Sequence, residues 1–398
     1  MRPCEIPRAA TAPGALESAN PFPKQTAPED ASPGLYIHVP FCRGKCAYCD
    51  FYSVPEKTRI PEWIEAVRTE ARFFRDRFAP FDTLYLGGGT PSLLHGRELD
   101  RLLQGLFGEL PLAPSLEITL EANPDDLSPR RLAAYLEAGI QRISLGIQAL
   151  EDATLGFLGR RHTASQAEQA LADSLDAGFA SVSVDLIYGI PGQTPKAWER
   201  TLRRVLRFRP HHLSCYQLTL HPGTPLGEQH HAGRIRLPEE ADLADLFLAT
   251  SEILEDQGYL HYEVSNFALP GHRSRHNRKY WRRAPYLGLG PAAHSFRAPV
   301  RWWNPSCLDT YCRRAASGRL PSEGAESLSA EQALLETLCL GFRTSEGIPG
   351  RTLAACPEGE QVARDLEQQG LLIRQGDRVR PTRRGMLLAD RLPLLFLD

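Results

Sequence analysis

No stretch of this chain is apolar for the roughly 20 residues that a membrane-spanning helix needs. The apolar core of a secretory signal is also missing from its first residues. Net charge is nearly absent: 46 Lys and Arg stand against 48 Asp and Glu, a balance of −2. A nucleic-acid partner usually leaves a basic footprint, so none is expected. A second Cys-x2-Cys pair is lacking too, and with it the paired spacing of most four-ligand zinc sites. Of nine cysteines, Cys4, Cys215, Cys307, Cys312, Cys339 and Cys356 are scattered singly, and Cys307 and Cys312 have no partner pair. A chain of 398 residues without a secretory signal does not call for a disulfide framework, so a reducing, cytoplasmic setting is the expectation.

What is present is concentrated in Leu35 to Ser53, LYIHVPFCRGKCAYCDFYS. Cys42, Cys46 and Cys49 form a C-x3-C-x2-C run just after an apolar, strand-like segment, with Gly44 as a flexible joint. Thiolates are the usual ligands of iron–sulfur clusters. Three of them hold three irons of a [4Fe–4S] cube and leave one iron open. An amine and a carboxylate on one molecule can chelate that iron, and S-adenosylmethionine carries both at its methionine end.

With 398 residues, 42% of them hydrophobic, the chain can bury one large domain and one or two smaller ones. Residues 1–32 are rich in Pro, Ala and Ser and are expected to be a disordered lead. Six apolar runs then alternate with helix-like stretches: Leu35–Val39, Thr83–Leu86, Leu116–Leu120, Arg142–Ile147, Ser181–Ile187 and Leu213–Leu218. Between the first two, Ile64, Val67, Ala71, Phe74 and Phe78 keep helical spacing. Ser128-Pro129 and Thr194-Pro195 each pair an N-cap with proline at the first helical position, and Pro238 opens a further helix. This alternation predicts βα units around a parallel sheet, an α/β partial (β/α)6 barrel. In such barrels the chemistry sits at the C-terminal strand ends.

The cysteine run with its flanks YIHVPFC and CDFYS resembles the signature of the radical S-adenosylmethionine superfamily, in its coproporphyrinogen-oxidase-like branch. The resemblance runs from about Leu35 to the C-terminal end. It implies that Cys42, Cys46 and Cys49 ligate the cluster. Gly88, Gly89 and Thr90 of the GGGTPS run after the second strand would touch the methionine part of S-adenosylmethionine. Glu121, Gln148, Arg160 and Asp185, at or just beyond later strands, would line the same region, with Tyr36 and Tyr48 on the adenosine side. Read without the resemblance, the glycines are a tight turn and Asp185 is half of a structural ion pair.

Beyond the sixth strand the chain reads His276-Asn277-Arg278-Lys279-Tyr280-Trp281. From residue types alone this is a polar, hydrogen-bonded loop closing the barrel mouth. The H-N-x-x-Y-W pattern is also similar to that of the HemW-type haem chaperones, which implies haem as a third cofactor contacted by His276, Asn277, Tyr280 and Trp281. From Ser327 a capping box, Ser329-x-x-Gln332, starts a helical region with a hairpin turn at Gly376-Asp377, a pattern like a winged helix. Glu360–Asp398 holds seven Arg against six acids, so it reads as a cap or docking module. The expected division is a lead over 1–32, the barrel over 33–260, a barrel-closing segment over 261–325 and a mostly helical, winged-helix-like domain over 326–398.

Two activities remain open at this level. Oxygen-independent coproporphyrinogen III oxidases carry a further cysteine two residues after the third, where this chain has Phe51, and a long segment before the cluster strand. Both departures point to a haem chaperone that hands haem to acceptor apoproteins, with respiratory proteins as one class, acting as a monomer or homodimer. Radical decarboxylation of a porphyrinogen is the alternative. No catalytic residue is assigned.

Overall fold

The fold is taken from a computed structural model that describes residues 32–397. The expected lead lies outside them, except for Ser32. Six parallel strands follow in order: β1 (Gly34–Val39), β2 (Phe81–Gly88), β3 (Leu112–Ala122), β4 (Arg142–Gln148), β5 (Ser181–Tyr188) and β6 (His212–Gln217). They pair β1-β2-β3-β4-β5-β6, as the alternation predicts. Each expected run falls on its strand to within a few residues, and β3 is longer than expected at both ends.

The strands alternate in a way that decides what the barrel can hold. Leu84, Leu86, Leu120, Ile143, Leu145, Val182, Val184 and Leu213 turn outward into the main hydrophobic core under the helices. Their neighbours Tyr85, Thr119, Glu121, Ser144, Ser183, Asp185, His212 and Ser214 turn inward and line a cavity. Successive side chains on a strand face opposite sides, so one polar face on several strands makes a polar interior. Closed eight-stranded barrels are packed inside; this one encloses a space of about 650 Å³.

Helix starts follow the capping chemistry. Ser128 accepts from the Arg131 amide, Thr194 from the Ala197 amide and Ser329 from the Gln332 amide. The helix of the Ile64 pattern covers Ile60–Arg72 and stops before Phe74 and Phe78, which are buried beyond its end. The helix expected from Pro238 covers Glu240–Asp256.

The sheet does not end at six strands. β8 (Asn266–Ala268) adds antiparallel to β6, and β7 (Leu260–Glu263) adds antiparallel to β8. β9 (Tyr286–Leu289) adds parallel to β1, followed by antiparallel β10 (His294–Arg297), β11 (Val300–Trp303) and β12 (Gly324–Ser327). The chain therefore crosses from one edge of the sheet to the other, and the helix Arg275–Trp281 lies on the crossing.

This crossing corrects the expected place of the H-N-x-x-Y-W motif. The helix packs on the first residues of β1 and β2, at the end of the barrel away from the cysteines. Lys279 Nζ lies 2.6 Å from Asp82 Oδ1 and Arg275 Nη2 3.0 Å from Asp82 Oδ2. A Cβ on Gly34 would meet His276 Cε1 at 3.1 Å. Five strand steps of ~3.3 Å separate Gly34 from Val39, so the motif and the cluster loop lie roughly 16 Å apart along β1. The motif closes the floor of the barrel, not its mouth.

After Ser329 the chain builds a second, smaller core around Leu338, Phe342, Leu353, Leu366, Val379 and Phe396. Its sheet orders β13 (Ile348–Pro349), β15 (Arg378–Pro381) and β14 (Leu372–Gln375). The hairpin turns at Gly376-Asp377, as expected. Among the described residues, no helix is long and apolar enough to cross a membrane.

Candidate functional site: a cysteine loop over a polar barrel

The cysteine loop is fastened at several points. The Cys42 amide donates to Val54 O at 3.0 Å, and Val54 N donates to Pro40 O at 2.6 Å. Ala47 is held from both sides: its amide donates to Leu158 O at 3.1 Å, and Leu226 N donates to its carbonyl at 2.9 Å. Cys42, Cys46 and Cys49 thereby all line the C-terminal mouth of the cavity.

A polar relay joins two of the thiols. Arg160 Nη1 donates to Cys46 Sγ at 3.3 Å, while Nη2 donates to Asn123 Oδ1 and Gly146 O, both at 2.6 Å. Asn123 Nδ2 donates to Thr90 Oγ1 at 3.4 Å, and Thr90 Oγ1 donates to Cys42 Sγ at 3.3 Å. Donors aimed at sulfur stabilise thiolate charge and tune a cluster. Among the described residues, no three His, Cys, Asp or Glu side chains converge on one point as a single ion requires. A cubane gives each thiolate its own iron, so the three thiols of this loop match three irons of one cluster.

The glycines serve close approach. Gly89 N donates to Val39 O at 2.9 Å, and a Cβ there would lie 2.7 Å from Phe41 O and 2.8 Å from Val39 O. Gly88 has φ +104°, and a Cβ on it would strike the His38 ring at 2.6 Å. Both line the cavity while letting β2 touch the root of the cysteine loop. Gln148 reaches the cavity through an irregularity in β4–β5 pairing and a left-handed φ of 66°.

Two carboxyls face each other across the interior. Glu121 accepts from Tyr85 OH at 2.9 Å and from Gly88 N at 3.2 Å. Burial, then the charge of Asp185, pushes its pKa up to about 7. Asp185 accepts from Ser144 Oγ at 3.1 Å, and burial pushes it up to about 6. Such buried, elevated acids need a cationic or hydroxyl-bearing ligand to be settled as carboxylates. An amine, a sulfonium and ribose hydroxyls are groups of that kind. Thiolates at the mouth and acceptors below it therefore fit the cluster and S-adenosylmethionine.

Not every expected residue comes to this cavity. Tyr48, Gly88, Gly89, Thr90, Glu121, Gln148, Arg160 and Asp185 line it. Tyr36 stands one layer back, stacked on Tyr85 with its OH 3.3 Å from His38 Nδ1. The H-N-x-x-Y-W residues diverge. Asn277 reaches the cavity floor, and Trp281 lines a second cavity. His276 is buried with both ring nitrogens engaged: Nδ1 lies 2.9 Å from Thr83 Oγ1 and Nε2 2.9 Å from Tyr280 OH. Burial, then Lys279, pushes its pKa down to about 3. With no free nitrogen, His276 in this arrangement is a structural residue.

Sequence reasoning missed Asn123, Tyr85, Ser144, Ser214 and His221, all in the cavity lining. For the strand residues the signal was available, since they alternate with apolar residues at period two. His221, in the loop after β6, carries no such signal.

Comparison with known proteins agrees with this geometry. The sequence profile of the radical SAM superfamily matches residues 36–205, and that of the HemN C-terminal domain matches residues 328–388. A protein of Mycobacterium tuberculosis named heme chaperone HemW is 36% identical over 394 residues, covering 98% of this chain and 96% of its own. The Escherichia coli K12 protein of that name is 34% identical over 377 residues, covering 91% and 97%. Coproporphyrinogen III oxidase (HemN) of Escherichia coli shares the fold, with a TM-score of 0.77 at 22% identity over 92% of this chain and 90% of its own. With similarity of this extent across barrel, crossing helix and C-terminal module, the chain belongs to the HemW family of the radical SAM superfamily.

Proposed function

We propose that this chain is a cytoplasmic haem chaperone: it binds haem and passes it to acceptor apoproteins, holding a [4Fe–4S] cluster and S-adenosylmethionine in the barrel. The observation that carries the reading is the full-length relatedness to the HemW proteins, which spans all the elements described above. Phe51 supports it. It stands where the oxidases carry a further cysteine, and it is 64% exposed on the cavity rim, an apolar face suited to a flat tetrapyrrole.

The chain's own residues divide the work. Cys42, Cys46 and Cys49 hold the cluster, and Arg160 and Thr90 donate to two of their sulfurs. Glu121 and Asp185 would accept from the amine and hydroxyls of S-adenosylmethionine, and the glycine turn would let its methionine end approach the backbone. A cluster held there would supply the reducing power for the radical chemistry of S-adenosylmethionine that characterises the superfamily. Both His276 ring nitrogens are engaged by Thr83 and Tyr280, which favours another residue for the iron contact of haem. His221 lines the same cavity as Phe51, is half-buried, and its Nδ1 lies 3.9 Å from Asp50 Oδ2. We assign it the contact with haem iron, which takes axial histidine.

The test uses anaerobically reconstituted protein. Haem titration followed at the Soret band is expected to give stoichiometric binding, and His221→Ala to weaken it more than His276→Gln. Turnover of coproporphyrinogen III with reductant and S-adenosylmethionine would replace this reading by the oxidase, the alternative that the shared HemN fold keeps in view.

A further inference from the structure

On the outer side of the Arg275–Trp281 helix, against the C-terminal module, lies a second cavity of about 350 Å³. That is near the lower end of ligand pockets, which run ~300–1,000 Å³. Four arginines line it, Arg278, Arg282, Arg283 and Arg378, while Glu346 is its one lining acid. The imbalance is local, because the whole chain is nearly neutral.

The arginines are unevenly satisfied. Arg278 Nη2 lies 2.7 Å from Glu346 Oε1 and Arg282 Nη2 2.8 Å from Glu346 Oε2. Arg273 adds a third guanidinium, its Nη1 3.9 Å from the same carboxylate. Burial works against the charge of Glu346, yet the Arg282 and Arg278 guanidiniums hold its carboxyl below the usual range. Arg378 donates to neutral groups, Glu346 O at 2.6 Å and Gly347 O at 2.7 Å, so no carboxylate cancels its charge there. Arg283 is paired with Glu336 at 3.1 Å. Trp281 lines the same cavity, although its Nε1 is buried away from the open space without a hydrogen-bond partner. Buried donors are rarely left so. Guanidiniums in surplus on one cavity wall ask for acceptor oxygens bearing negative charge.

We propose that this cavity is a binding site for an anion of two or more charges, of carboxylate or phosphate class. Arg278 and Arg282 grip it in place of Glu346. Arg278, Trp281 and Arg282 belong to the floor of the barrel, whereas Glu346 and Arg378 belong to the C-terminal region. The bound anion therefore ties the two together. The inference does not depend on the haem reading.

The experiment titrates the full chain at low ionic strength with inorganic pyrophosphate, following heat of binding and thermal midpoint. Binding with a raised midpoint is expected. Arg278→Gln with Arg282→Gln should weaken it by about tenfold or more, the scale of lost charge-assisted hydrogen bonds. Glu346→Gln should tighten it, because the competing internal carboxylate is gone; that variant keeps the arginines, so it reports even if the double variant folds poorly. A second arm compares haem with its dimethyl ester on wild type and the Arg278/Arg282 variant. A loss confined to free haem makes propionate carboxylates the source, whereas pyrophosphate binding without that loss makes phosphate the source. No binding in either arm, or equal affinity across all variants, overturns the proposal.

Discussion

Replacing His276 separates a ligand from a brace. His276→Ala removes a fully buried imidazole together with its hydrogen bonds to Thr83 and Tyr280, and a ring stacked on Tyr85 at 5.1 Å. Each bond is worth ~1 kcal/mol net, and each hydroxyl left buried without a partner costs ~1–3 kcal/mol. The void adds a loss of the kind seen in large-to-small core changes, ~2–5 kcal/mol. These terms overlap, so about 3–5 kcal/mol is the expected loss, enough to lower stability markedly in a fold holding ~5–15 kcal/mol. The pH dependence gives an independent check. The folded pKa is pushed down to about 3 from an ordinary 6.5. Protonation therefore favours the unfolded chain, so the His276 contribution is fully present above pH 6.5 and fades as pH falls towards 3. The stability gap between wild type and His276→Ala should shrink by up to ~1.4 kcal/mol per pH unit in that window. Urea unfolding at several pH values measures the gap, and a Soret titration on the folded fraction measures haem affinity. A variant as stable as wild type that no longer binds haem would refute the structural role and restore His276 as the iron ligand.

Three further outcomes follow from the same geometry. Cys46→Ser should lose the broad visible iron–sulfur absorption after anaerobic reconstitution, checked by iron and sulfide analysis; full retention of both would contradict the cluster assignment. Glu121→Gln removes a carboxyl whose ionisation in the folded state is penalised between pH 4.5 and about 7. Wild type therefore loses stability relative to the variant as pH rises through that range, by about 1–3 kcal/mol, while the variant should bind S-adenosylmethionine more weakly; an unchanged pH profile in urea melts would contradict it. Arg160→Lys keeps the charge but loses the planar fork that reaches Cys46, Asn123 and Gly146 at once. Equilibrium dialysis should show S-adenosylmethionine affinity falling about tenfold, the scale of one or two charge-assisted bonds, with cluster iron retained.

The barrel explains why the site tolerates such a polar interior. Apolar burial is supplied from the outward faces of the strands, where Leu84, Ile143, Val182 and Leu213 meet the helices. The inward faces are left to Glu121 with its Tyr85 donor and to Asp185 with its serine partners. Two elevated carboxyls in one cavity cost stability in the unliganded chain, and a positively charged ligand offsets that cost. Stability and binding thus pull in opposite directions at the same residues.

Much of this was written locally. The six strands follow from alternating apolar runs, and the helix starts from Ser-Pro, Thr-Pro and Ser-x-x-Gln caps, because period and capping depend on neighbours only a few residues apart. The cysteine loop was legible for the same reason: three thiols within eight residues need no fold to bring them together. What tertiary structure alone decided is how distant segments meet. The H-N-x-x-Y-W residues look in sequence like one surface. The chain's crossing from β8 to β9 sets their helix on the barrel floor, where it sends His276 into the core, Asn277 to the main cavity and Trp281 to the other. Successive helical residues point about 100° apart, so one short motif met three environments, and only the packing around it could say which.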